Sequence, residues 1–133
     1  MRKLLLLMAA STTLYTCSLS PALAQTTEDI AKGNCKHTSD VCQKTLDYVN
    51  TKKGKLGKAN VTNVLKDCIT ACDATEKFIT RGSALQKKSA AMTIDACNQV
   101  AKSCDQFGDD KQMQACANEA RKTVGNLQKI TSM

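Results

Sequence analysis

The chain has 133 residues, a formal net charge of +7, no Trp and 3% aromatic residues. So few aromatics leave almost nothing on which bases could stack, and the lysines are spread over turns and helix faces, which argues against nucleic-acid binding. Eight cysteines against two Phe and two Tyr make sulfur the dominant feature of the composition.

The first residues read Met1-Arg2-Lys3, an apolar run from Leu4 to Ala10, then Ser20-Pro21-Ala22-Leu23-Ala24. A basic start, an apolar centre and Ala-x-Ala predict a secretory leader over residues 1–24, cleaved after Ala24, with export to a compartment such as the periplasm. Ser11, Thr12, Thr13 and Thr16 interrupt the run, so no stable membrane insertion is expected after the leader is removed. Removing 24 of 133 residues leaves 109, one domain's worth, over residues 25–133. That mature chain has 17 basic and 12 acidic residues, a net charge of +5.

Residues 25–34 are polar and predict a loose start, with Gly33-Asn34 as a break or a late helix start. From there Cys35, Thr38, Cys42, Leu46 and Val49 form one helical stripe. Gly54 and Gly57 among lysines predict its end. A second helix is expected over about 60–81, with Val61, Leu65, Cys68, Cys72, Thr75 and Ile79 alternating by four and three. Gly82 then supplies a left-handed stop, and Ser83 with Gln86 predicts a capping box for the third helix. That helix carries Ala90, Thr93, Cys97, Val100, Cys104 and Phe107 on one face and stops at Gly108. Asp109 or Asp110 caps a fourth, with Met113, Cys116, Ala120, Thr123, Leu127 and Ile130 inward. The fold expected is all-α, an antiparallel up-down-up-down four-helix bundle.

Every cysteine after the leader lies on an inward stripe: Cys35, Cys42, Cys68, Cys72, Cys97, Cys104 and Cys116. Reflecting positions about the short turns puts Cys68 beside Cys97, Cys42 between Cys68 and Cys72, and Cys116 between Cys97 and Cys104. Cys35 and Cys104 fall about two turns from their nearest cysteine neighbours along the helix, in opposite directions. Two explanations stay open for so many inner cysteines. One is inter-helix disulfides, such as Cys42 to Cys68 or Cys97 to Cys116, with one of seven thiols left over. The other is a thiolate metal site, for which two cysteines four apart on a helix present their sulfurs on one face.

Asp67-Cys68-x3-Cys72-Asp73, Arg81-Gly82-Ser83, Cys97-x6-Cys104 and Cys116 together resemble the cysteine-rich four-helix-bundle copper-binding proteins that include the bacterial copper storage proteins. The similarity runs from Cys35 to about Leu127. It implies a bundle whose core thiolates hold Cu(I), with Cys42, Cys68, Cys72, Cys97, Cys104, Cys116 and Cys35 as ligands. Copper ions would be the partner, and buffering or storage the role. Storage members carry more cysteines, whereas Ala101, Ala120 and Thr123 stand at stripe positions here, so few ions are expected. His37 is expected in solvent or capping duty. Met92 and Met113 are expected to pack in the core, although their thioethers are also able to pass Cu(I) inward. No catalytic constellation is present, so enzyme activity is not expected, and self-association stays open.

Overall fold

The computed structural model describes residues 24–133 apart from residue 53. The expected leader lies outside these described residues except for its last position. Among the described residues four α-helices occur and no strand: α1 Thr27–Thr51, α2 Ala59–Thr80, α3 Gln86–Asp105 and α4 Lys111–Thr131.

Helix α1 begins earlier than its glycine suggests. Thr26 Oγ1 accepts a hydrogen bond from the Asp29 amide, and the Asp29 carboxylate accepts one from the Thr26 amide. This capping box satisfies orphan amides at the first turn, so Gly33 and Asn34 are carried inside the helix. The expected loose start over residues 25–34 is thereby corrected. Asn34 also bonds back to the Ile30 carbonyl at 2.7 Å.

The stop after α2 is as expected. Gly82 has φ +59°, and the Ser83 amide reaches the Phe78 carbonyl at 2.9 Å, which closes the helix end. The expected capping box at Ser83 and Gln86 is absent, because α3 starts only at Gln86. Ser83 Oγ instead accepts from the Leu85 amide at 3.1 Å, and the Gln86 side chain reaches Glu28 of α1. Of the two candidate aspartates, Asp110 caps α4: its Oδ1 accepts from the Met113 amide at 3.0 Å. Its Oδ2 accepts from the Tyr48 hydroxyl at 2.6 Å, which ties the end of α1 to the start of α4.

Each helix packs against its two chain neighbours, and α1 closes the ring onto α4. Thr38 with Thr123, Cys42 with Cys116, and Tyr48 with Asp110 show α1 and α4 running antiparallel, since one number rises as the other falls. Cys68 with Cys97 and Thr75 with Ser89 show the same for α2 and α3. This is the antiparallel four-helix bundle the stripes predict.

The stripe residues are buried throughout, save Phe107, which is half-buried. The largest fully buried side chains are aliphatic or sulfur-bearing, with Leu65, Met113, Leu127 and Ile130 foremost. Val49, Val61, Leu65 and Met113 fill the end near the α3–α4 turn. Ile79, Leu127 and Ile130 fill the other end. Next to that second end, hydroxyls face one another. Thr38 and Thr123 hydroxyls lie 2.6 Å apart, and Thr75 meets both Ser89 and Thr93. Thr93 donates on to the Ala71 carbonyl at 2.9 Å. Buried hydroxyls matched in this way avoid the cost of an unpaired polar group.

Candidate metal centre

Six of the seven cysteines lie between the aliphatic end and the hydroxyl layer, and Cys35 lies one turn beyond Thr38 on α1. All seven cysteines of the described residues are free thiols and none exposes surface. Cys68 and Cys72 present their Sγ atoms 4.0 Å apart along α2. Cys97 of α3 places its Sγ 3.6 Å from that of Cys68. The Sγ atoms of Cys68, Cys72 and Cys97 all lie within 4.8 Å of one another.

These spacings can be set against what an ion requires. With a metal–thiolate bond of about 2.3 Å, as for zinc, a trigonal site holds its sulfurs about 4.0 Å apart and a linear pair about 4.6 Å apart. The Cys68–Cys72 and Cys68–Cys97 separations lie close to the trigonal spacing, and the third stays within 4.8 Å. A disulfide needs sulfurs at about 2.05 Å, far inside these separations.

The remaining thiols extend the triad into one connected column. Cys35 lies against Cys72 at one side, and Cys42 lies against Cys68. Cys42 also sits 3.9 Å from Cys116 of α4, which in turn meets Cys104 of α3. Sequence levels placed Cys35 and Cys104 at a distance from the rest, and the structure brings both into contact with it. The partner of Cys97 is Cys68, not Cys116.

Hydrogen bonding divides the sulfurs into donors and acceptors. Cys68 faces thiols from Cys42, Cys72 and Cys97, and their donation lowers its pKa despite burial. Cys116 is held down to about 4, chiefly by the thiols of Cys104 and Cys42. Cys42, Cys72, Cys97 and Cys104 are pushed up, first by hydrogen bonding to a neighbouring sulfur and then by burial. Cys68 and Cys116 are thus the two sulfurs of the column whose charged form is favoured.

Thr45 was not singled out by sequence. Its hydroxyl donates to the Val41 carbonyl at 2.8 Å and accepts from Gln112 Nε2 at 2.9 Å, which fixes it beside Cys116. The only available signal was a threonine one turn past Cys42. His37 is 60% exposed and pairs through Nδ1 with Glu119 Oε1 of α4 at 2.8 Å, a link between helices and not a contact with the thiols. Asp73, next to Cys72 in the chain, accepts from Ser39 of α1 at 2.6 Å. Met113 is buried, whereas Met92 is half exposed.

Buried, closely spaced thiols are a donor set for a soft ion. The family model described as copper storage protein matches residues 34–132, which spans all four helices and every cysteine of the column. No curated protein and no solved structure matches the chain.

Proposed function

Since the chain belongs to the copper storage protein family, we propose that it holds Cu(I) on its core thiolates as a low-capacity copper buffer or store. The observation that carries this is the spacing of Cys68, Cys72 and Cys97, which suits a three-coordinate soft ion. Cu(I) favours thiolate and accepts two or three ligands, whereas a structural zinc site needs four. Cys42, Cys104 and Cys116 form a second group of three adjoining the first through Cys42, and Cys35 supplements the first through Cys72. Seven sulfurs arranged this way support a few ions, not a large store.

The leader over residues 1–24 supports export, to the periplasm in a bacterium, of a single bundle domain over residues 25–133. There the protein would sequester copper and limit its toxicity. Burial of all seven sulfurs slows their oxidation in such a compartment, because thiolate exposure controls that chemistry.

The test uses mature protein purified without reductant. Thiols are counted under denaturing conditions, and Cu(I) is titrated anaerobically against a competing chelator. Five or more free thiols with tight uptake of at least one Cu(I) are expected. One free thiol, and no uptake even after reduction, would leave a disulfide-braced helical module without metal and would sink the proposal.

A further inference from the structure

A groove of about 330 Å³ runs between α2 and α3, lined in part by Asp67 and Ala71 from α2 and by Met92, Asp95 and Ala96 from α3. Three of these residues directly precede the three cysteines of the triad: Asp67 before Cys68, Ala71 before Cys72 and Ala96 before Cys97. The groove thus follows the triad along its outer side, level for level. Its wall includes two small, nearly buried side chains, Ala71 at 4% and Ala96 at 8% exposure. Along the bundle axis the thiols are shut in by larger side chains, with Leu65 and Met113 toward one end and Leu127 and Ile130 toward the other.

Met92 is 51% exposed, one of three large hydrophobic side chains in that position among the described residues. A helix surface gains nothing in packing from a methionine held out in water. Its thioether is a soft, neutral ligand that takes a soft cation without first losing a proton. Asp67 and Asp95, both exposed, add negative charge to this groove and draw cations to it.

We propose that this groove is a lateral port for Cu(I), with Met92 as the capture ligand and the Cys68–Cys72–Cys97 triad as the destination. The proposal rests on the core-thiolate function given above. Transfer is a ligand exchange: the Met92 thioether releases the ion, a cysteine sulfur binds it, and the thiol proton passes to water. Copper stays Cu(I), so no electron moves. The thin wall is bordered by the hydrogen bond from Thr93 Oγ1 to the Ala71 carbonyl, which joins α2 to α3 there.

The test is anaerobic stopped-flow transfer of Cu(I) from its bicinchoninate complex to wild type, Met92→Leu and Asp67→Asn/Asp95→Asn. Met92 is on the surface, so its replacement leaves the fold in place. The expected result for Met92→Leu is transfer slowed roughly tenfold, on the scale of losing one supporting contact at a metal site, with the final copper content unchanged. In a methyl-labelled sample, substoichiometric Ag(I) should shift the Met92 resonance before that of Met113. Wild-type rates in Met92→Leu at full capacity, or a Met92 methyl unmoved by Ag(I), would overturn the port and leave the core site standing. Absence of uptake by the wild type would remove the core site and the port with it.

Discussion

Replacing Cys68 with alanine removes a sulfur that three others touch: Cys72 at 4.0 Å, Cys97 at 3.6 Å and Cys42 on α1. In the metal-free protein the change deletes one buried heavy atom, which costs about 1 kcal/mol, as comparable small core truncations do. That corresponds to a melting point lower by about 4 °C for a domain of this size. The copper-bound protein responds differently. At a free Cu(I) concentration 1,000 times the dissociation constant, binding stabilises wild type by about 4.1 kcal/mol. Loss of one of three thiolates is expected to weaken binding by about 100-fold, or about 2.7 kcal/mol. The same copper then adds only about 1.4 kcal/mol, and roughly two thirds of the copper-dependent rise in melting temperature disappears. The assay is anaerobic far-UV circular dichroism melting at chelator-buffered Cu(I), since the chain has no Trp to report by fluorescence. Cys104→Ala is the control, because Cys104 meets Cys116 and lies outside the triad. A Cys68→Ala protein that keeps its full copper shift, or a Cys104→Ala protein that loses as much, would refute the triad as the principal site.

Thr75→Val keeps the shape but strips Ser89 of its buried partner, so urea unfolding should show a loss of about 1–2 kcal/mol; adding Ser89→Ala should recover most of it. Asp110→Ala removes the α4 cap and the Tyr48 contact, and should cost about 1 kcal/mol in the same experiment. Its carboxylate has a pKa held below 3.8, chiefly by the Tyr48 hydroxyl, so its contribution is complete above that value and fades as pH falls below it. Asp110→Asn should therefore flatten the acid limb of the stability profile. Copper affinity should rise with pH between 6 and 8 in chelator competition, because Cys42, Cys72, Cys97 and Cys104 hold their protons and each thiolate–copper bond must expel one. A flat profile would mean that the binding thiols are already ionised.

The helix stripes were legible because their period was unbroken. From Cys35 to Val49 and from Met113 to Ile130, every residue assigned inward is buried. Meeting of the thiols was legible too, as Cys68 beside Cys97 followed from reflection about Gly82 alone. The errors lie where side chains compete for the same backbone donors. Gly33 weakens a helix, yet the Thr26–Asp29 box upstream outweighs it. Ser83 and Gln86 have capping-box spacing, but Ser83 is spent on the turn and Gln86 on Glu28 across the bundle. Cys35 and Cys104 looked remote because one-dimensional levels ignore the inward reach of side chains from a second helix, which closes the gap to Cys72 and Cys116. The pairings of Thr38 with Thr123 and of Thr75 with Thr93 needed the ring closure and the exact rotation of each helix, neither of which a single stripe contains.

The hydroxyl layer has a consequence for how such a protein can change. Thr38, Thr123, Thr75, Ser89 and Thr93 occupy inner sites next to the sulfur column, at distances already short enough for contact. Serine differs from cysteine by one atom, and threonine by that atom and a methyl. Loading capacity is thus written in the side-chain tips, while the backbone and its turns stay constant. Substituting along this layer would lengthen or shorten the column one rung at a time, so ion number can drift between close relatives without any step at which the bundle must be rebuilt.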